Sequence, residues 1–505
     1  MRRGIPSPGK LPRQGPAPGA RAPLAGALIA LLLACGGCTS LAPRYERPPL
    51  PVPNRYPADA TPSNQAAAPI DWRDYFVDTD LQAVIAQALA HNRDLRVATQ
   101  RVQEARAAYG VRAADQLPTI AGGATYARFH APGGILSSQA LTASLYDLTL
   151  TQSSWELDFW GRVRSLKEAA LEQFLASVAA RRAVRLSLIA QVADDFLVLR
   201  ELDERIALTQ QTIASRQASL HIFRRRFEVG AISKLDFTQA EILLQQAQSL
   251  LAQLEQSRAL AAHALNLLVG SPATLGPSRR SLDDDSILPP RAGLPSDLLE
   301  NRPDIVAAEH QLRAANADIG AARAAFFPRI ALTSSFGAGS TALGDLFSGG
   351  SAIWSFVPSL SMPIFDAGRN RSNLALARAR EKEAVAQYEK SIQAAFRDVA
   401  DALAKAHWLS ERIRIERDTL ASQTERARLA KLRYDSGAAP FLEVLDAQRD
   451  MLAAQQQLIQ TRRALLESRV ALFVALGGDA SRATHASIRS GHDSPTNEAP
   501  RHDFH

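Results

Sequence analysis

Arg226-Phe227-Glu228-Val229-Gly230 returns 207 positions later as Arg433-Tyr434-Asp435-Ser436-Gly437. The same offset carries Leu235 onto Leu442, Asp236 onto Glu443, Ala240 onto Ala447 and Gly270 onto Gly477. Further upstream the offset is 210, placing Asp94 on Asp304, Gly110 on Gly320 and Pro118 on Pro328. Between these stretches Gly161-Arg162 falls on Gly368-Arg369, again at 207. One unit is written twice, so its two copies must occupy equivalent places in the fold. The first repeat is expected at 80–270, a linker at 271–293 and the second repeat at 294–478.

Each copy has the same helical plan. From Asp80 to about Leu117 the pattern is helical, and Pro118 stops it. Helical character resumes near Gly161 and runs to Gly230; about 67 residues at 1.5 Å each make a rod of about 100 Å. Ile189, Val192, Phe196 and Leu199 are spaced three, four, three, as in a coiled-coil seam. After Gly230 a shorter helix is expected over Leu235–Leu268, with Leu243, Ala247, Leu250 and Leu254 on its seam. In the second copy Leu294–Phe327, Arg371–Ser436 and Glu443–Leu476 take the same roles, and Val385, Tyr388, Ile392, Ala395 and Val399 form the long seam. The two short helices of a copy sum to about 105 Å, which suits end-to-end stacking beside the rod.

Between the helices the period changes to two. Ile330, Leu332 and Phe336 alternate with Ala331, Thr333 and Ser335. Trp354, Phe356, Leu360, Met362 and Ile364 alternate with Ser355, Ser359 and Ser361. An apolar, aromatic face opposite a small, polar one is what a membrane β-strand with a wet interior requires. Hairpins are therefore expected at 118–160 and 328–368, the first alternating less cleanly. Four strands cannot close a barrel, and lipid tolerates no open sheet edge, so closure requires several copies. Two copies give eight strands and three give twelve; geometry alone leaves both open.

Arg2, Arg3, Lys10, Arg13 and Arg21 precede the apolar run Leu24–Ala34, which is too short to span a bilayer and reads as a secretory signal over 1–37. Gly36-Gly37 before Cys38 fits a bacterial lipoprotein signal, making Cys38 the lipid site; Leu32-Leu33-Ala34 before Cys35 fits as well. Both cysteines sit at the cleavage point, which argues against a CxxC redox or metal site. Residues 38–79 form an acylated N-terminus and a Pro-rich tether, and 479–505 a disordered polar tail with His485, His492, His502 and His505. Removing five basic and no acidic residues with the leader lowers the formal charge from +7 to +2, since 53 Lys+Arg then face 51 Asp+Glu. That removes the argument for nucleic acid, which needs a basic face. There is no G-x-S-x-G, no P-loop and no His/carboxylate cluster, so no enzyme and no metal or other cofactor is expected beyond lipid on Cys38. Only Met362 and Met451 follow the leader, leaving a methionine relay for soft metals unsupported.

Leu41-Ala42-Pro43-Arg44-Tyr45-Glu46-Arg47-Pro48, Trp155-Glu156-Leu157-Asp158-Phe159-Trp160-Gly161-Arg162, Asn301-Arg302-Pro303-Asp304-Ile305, Pro363-Ile364-Phe365-Asp366-Ala367-Gly368-Arg369 and Leu442-Glu443-Val444-Leu445-Asp446-Ala447-Gln448-Arg449 occur in this order. In these stretches the chain resembles the outer-membrane factor (TolC-like) family, and within it the lipoprotein branch of resistance-nodulation-division efflux systems. The resemblance implies a mainly helical fold with a β-barrel part. Three copies would build a twelve-stranded outer-membrane barrel and a coiled-coil periplasmic tunnel, with a periplasmic adaptor and an inner-membrane pump as partners. The implied function is a passive, gated outer-membrane duct for small molecules. The exit duct of an ATP-driven protein-secretion system and a non-conducting coiled-coil scaffold are the competing readings.

The resemblance also implies a gate just beyond the second turn, at Leu442, Glu443, Asp446 and Arg449, with Tyr434 and, across the tip, Asp236. Ala439 departs from the pattern, standing where some members carry an arginine of the lock. Phe227, Gly230, Ala231, Gly437 and Ala438 match the tip that docks an adaptor. The same residues have a plainer reading. Ser233-Lys234-Leu235-Asp236 is a capping box, Pro440 with Glu443 starts a helix, and Asp446 with Arg449 is an i,i+3 surface pair.

Overall fold

The computed structural model describes residues 40–53, 56, 71–132, 140–272, 282, 287 and 298–478. The leader, Cys35, Cys38, most of the linker and the tail at 479–505 with its histidines lie outside the described residues. Two compact units are distinguished: Met1–Pro43, Ala114–Leu166 and Asp318–Leu374 in one, Arg44–Ala113, Lys167–Ala317 and Ala375–His505 in the other.

The first unit contains four strands, β1 (Ile120–Ala131), β2 (Leu141–Glu156), β3 (Arg329–Ser340) and β4 (Ala352–Ser361). They form one antiparallel sheet in the order β1-β2-β3-β4, so β2 and β3 join the hairpins of the two repeats. Directly opposed residues share a face. The register pairs Phe336 with Trp354, Ile330 with Leu360, and Leu150 with Phe336 on one side. Ser335 with Ser355, Thr149 with Gly337 and Thr151 with Ser335 lie on the other. On the apolar side Trp354 is 75% and Leu360 69% exposed, far too much aromatic and aliphatic surface to leave in water.

A bulge explains the weaker alternation of β2. The β2–β3 register shifts between Gln152 and Trp155, and Ser154 has φ 45°. An extra residue reverses side-chain parity. Trp155 thereby joins Leu148 and Leu150 on the apolar face, opposite Leu332, while Glu156 turns to the polar face. There its carboxylate holds both Arg162 and Arg329 at 2.7 Å. At that same end of the sheet β4 stops at Ser361, opposite Arg329 and short of the alternation expected through Ile364. Pro363 has no N–H for a ladder.

The second unit is helical: α1 (Trp72–Tyr75), α2 (Thr79–His91), α3 (Arg93–Ala114), α4 (Arg162–Glu228), α5 (Lys234–Val269), α6 (Leu298–Asn301), α7 (Pro303–Ala324), α8 (Arg369–Asp435) and α9 (Phe441–Ala475) supply it, several of them continuing into the sheet unit. Rods α4 and α8 have 67 residues each. On α4 Ile189 and Val192 are fully buried, with Phe196 and Leu199 at 3%. On α8 Tyr388, Ile392, Ala395 and Val399 are buried likewise. Each buried large side chain stabilises the seam by about 1.5–3 kcal/mol. Leu250 is only half-buried.

The first short helix expected in each copy is two helices. Asn92 leaves the helix at ψ 135°, accepts from Leu95 N at 2.8 Å and donates to Leu268 O at 2.9 Å. In the second copy the break falls at Arg302, which precedes Pro303 and is barred from ready helical continuation. Both breaks receive the end of the copy's closing helix. A Cβ on Gly270 would lie 2.6 Å from His91 O, and one on Gly477 2.5 Å from Asn301 O. Stacking is therefore end to end, but between α5 and α3, and between α9 and α7. Helix α2 instead packs Leu81, Val84, Ile85 and Ala88 into the core with Ile189, Phe196, Leu265 and Phe473.

The Pro-rich tether is not free where it is described. Tyr45, Leu50, Val52 and Tyr56 pack against the cluster of Ile305, Leu312, Tyr388 and Ile392. Tyr45 Oη donates to Glu309 Oε1 at 3.2 Å, Arg47 Nη2 to Oε2 at 2.9 Å, and Arg313 Nη2 to Oε1 at 2.7 Å. Burial alone would raise the Glu309 carboxyl, but Arg313 and Arg47 outweigh it and hold it below its ordinary 4.5. A depressed acid contributes stability above its unfolded pKa and loses it as pH falls through the folded value. Glu309→Gln should therefore lower stability by about 1–2 kcal/mol at pH 7, a figure discounted because both arginines are more than a third exposed. Thermal unfolding of the detergent-solubilised protein should show this difference shrinking below pH 4.5; a difference independent of pH would refute the clasp.

Candidate gate at the helix tips

Both rods end in the same turn. Ala231 N donates to Arg226 O at 2.7 Å and Gly230 N to Phe227 O at 2.9 Å; Ala438 N to Arg433 O at 2.8 Å and Gly437 N to Tyr434 O at 2.9 Å repeat the pattern. Gly230 at φ 71° and Gly437 at φ 73° supply the left-handed residue that closes such a helix end. No heavy atom lies near enough to contact a Cβ at either position, so the backbone conformation, not space, demands glycine. Phe227, Gly230, Ala231, Gly437 and Ala438 are all exposed.

Beneath the turns lies an apolar cluster. Phe223, Leu243, Ala430, Phe441, Val444 and Leu445 are buried together, with Tyr434 partly buried against them. Phe223 and Phe441 rings are 4.0 Å apart, and Tyr434 lies 5.1 Å from Phe441. Phe227 stacks on Phe237 at 5.5 Å. Turning Phe441, Val444 and Leu445 inward sets Leu442, Asp446 and Arg449, at i, i+4 and i+7, on a common outer face of α9. Leu442 is 49% exposed, as is its repeat counterpart Leu235 at 65%.

The polar groups of the tip are bound locally. Arg449 Nη1 lies 3.3 Å from Asp446 Oδ1. Glu443 accepts from Arg433 Nη1 at 3.0 Å across the second turn. Asp236 is engaged by its own cap: its N–H donates to Ser233 Oγ at 3.1 Å, and its carboxylate accepts from Ser233 Oγ at 2.8 Å. Tyr434 Oη accepts from Arg226 Nη1 at 3.2 Å rather than meeting Asp236. Thus Asp446 and Arg449 are brought together, while Asp236 and Tyr434 are not. Arg226 and Arg433 head the two repeated pentapeptides, and that equivalence is their only mark in the sequence. Exposed pairs of this kind contribute about 0–1 kcal/mol each. The helices of the tip are therefore held together mainly by the apolar cluster and only weakly by ion pairs.

No helix among the described residues is long and apolar enough to cross a membrane, and none of the described residues group as a metal site. Neither observation bears on a barrel. Comparison with known proteins identifies the fold. Residues 84–271 and 294–478, the two repeats, match the family described as outer membrane efflux protein. The chain is 44% identical over 465 residues to outer membrane protein OprJ of Pseudomonas aeruginosa, covering 89% of this chain and 94% of that one. It is 37% identical over 457 residues to the probable outer membrane lipoprotein SilC of Salmonella typhimurium, covering 89% and 97%. Its structure superimposes on the open state of the Neisseria gonorrhoeae MtrE outer membrane channel with a TM-score of 0.81 at 37% identity, over 88% of this chain and 100% of that one. These likenesses favour efflux over the protein-secretion and scaffold readings. The chain belongs to the outer membrane efflux protein family and is the outer-membrane channel component of an efflux system, not an enzyme.

Proposed function

We propose that three copies of the chain close a twelve-stranded barrel and form a passive, gated exit duct for small molecules. The duct takes its cargo from an inner-membrane resistance-nodulation-division pump through a periplasmic adaptor. The observation that carries this reading is the four-stranded sheet with β1 and β4 both open at the edge, one face apolar and one hydroxylated. In lipid each unpaired amide costs several kcal/mol, so the edges must meet those of other copies. Three is the number that the family resemblance implies. The polar face then lines water, with Thr149, Thr151, Ser335 and Ser355 offering hydroxyls to a passing solute.

The gate is assigned to the outer face of α9. Three Asp446 carboxylates around one axis repel unless countercharged, and Arg449 supplies the countercharge. Three copies of Leu442 narrow the same level, and Glu443 is kept from the axis by Arg433. Opening separates weak surface pairs while the apolar cluster around Phe441 keeps α4, α5, α8 and α9 together. The description of MtrE as an open state supports such a gate in a relative. The exposed turns at Gly230 and Gly437 are the docking tips for the adaptor. Cys38 is the acylated residue, a reading supported by the lipoprotein name of SilC.

Single-channel recording in planar bilayers tests the duct. The parent should open rarely and briefly, and Asp446→Ala/Arg449→Ala should raise open probability at least tenfold. Protein that inserts as an oligomer and never conducts, in either form, would refute the proposal. Cys38→Ser should abolish incorporation of radiolabelled palmitate, whereas Cys35→Ser should not; the reverse pattern moves the anchor to Cys35.

A further inference from the structure

Arg449, the cation that the proposed gate pairs with Asp446, is shared. Its Nη1 lies 3.3 Å from Asp446 Oδ1, while its Nε and Nη2 both donate to Asp450 Oδ1 at 3.4 Å. The second oxygen of Asp450 is already taken. Its Oδ2 accepts from Arg426 Nη1 of α8 at 2.7 Å, much the shortest contact of the set, and that Nη1 also donates to Gln423 Oε1 at 3.3 Å. The Asp450 carboxyl is held below its ordinary range, first by the Arg426 hydrogen bond and then by Arg449. Two carboxylates thus compete for Arg449, and Asp450 approaches it with one oxygen only and at long range.

We infer that Arg426 and Asp450 are a positioning pair that sets how much of Arg449 is available to Asp446, and so biases the gate toward closure. This rests on the gate reading above. Arg426 pins Asp450 toward α8 and keeps it from engaging Arg449 with both oxygens, the geometry in which a guanidinium binds a carboxylate best. Loss of Arg426 releases Oδ2, Asp450 withdraws Arg449, and the Asp446 ring loses its countercharge. Loss of the Asp450 charge removes the competitor, and Arg449 turns fully to Asp446. Two residues joined by one salt bridge thus act on the gate with opposite signs. A pair serving only to tie α8 to α9 would give the same sign for both.

The test is open probability in planar bilayers for the full-length, lipidated oligomer. Arg426→Gln should raise it by about two- to fivefold per copy, the scale of an exposed ion pair. Asp450→Asn should lower it by a similar factor, and Arg426→Lys, which keeps the charge, should behave as the parent. The double variant Arg426→Gln/Asp450→Asn should match Asp450→Asn alone, because Arg426 acts only through Asp450. Shifts of the same sign, no shift, or additive shifts in the double variant overturn the inference. Asp446→Ala separates the two claims. If it opens the channel while the Arg426 and Asp450 variants do not diverge, only the positioning pair fails; if it leaves open probability unchanged, the gate reading fails and takes the inference with it.

Discussion

A backbone amide facing lipid without a partner is the constraint on which the rest of this molecule depends. Each costs several kcal/mol, and the four-stranded sheet carries two whole rows of them on β1 and β4. No rearrangement within one chain removes both rows, because β2 and β3 already join the two hairpins in the middle. Assembly is thus part of folding for the barrel. The duplicated sequence meets this need economically, since each copy contributes two similar hairpins and two similar rods.

Much of this was legible, because the signals were periodic. The 207-residue repeat located both tips, and the three-four spacing of Ile189, Val192, Phe196 and Leu199 located residues that are buried. The second hairpin could be read because its parity is nearly unbroken. The first could not be read as well, since the bulge at Ser154 moves Trp155 onto the face of Leu148 and Leu150. A one-residue insertion is invisible to a period of two. The break at Asn92 has a faint local mark, an asparagine able to cap Leu95 three residues on, but the bond that fixes it is to Leu268 O, 176 positions away. At Arg302 the signal is local, in the following Pro303.

The tether shows a different limit. Proline content says nothing of where this segment goes, because Tyr45 and Arg47 are fixed by one buried carboxylate, Glu309, 262 to 264 positions away. A lone Glu inside a helix carries no mark of such a role. At the tip the capping box at Ser233 and Asp236 was readable from spacing alone, and it occupies the carboxylate that resemblance had offered to the gate. Local hydrogen bonding and a remote gate contact compete for the same oxygens, and in the single copy the local one prevails. Leu442, Asp446 and Arg449 escape that competition because burial of Phe441, Val444 and Leu445 turns them outward.

Closure of the sheet by other copies is the central claim, and the mass of the intact assembly tests it most directly. Native mass spectrometry of the lipidated protein released from detergent should give three chains, hence twelve strands from a four-stranded sheet. A predominant species of one or two chains would contradict the account.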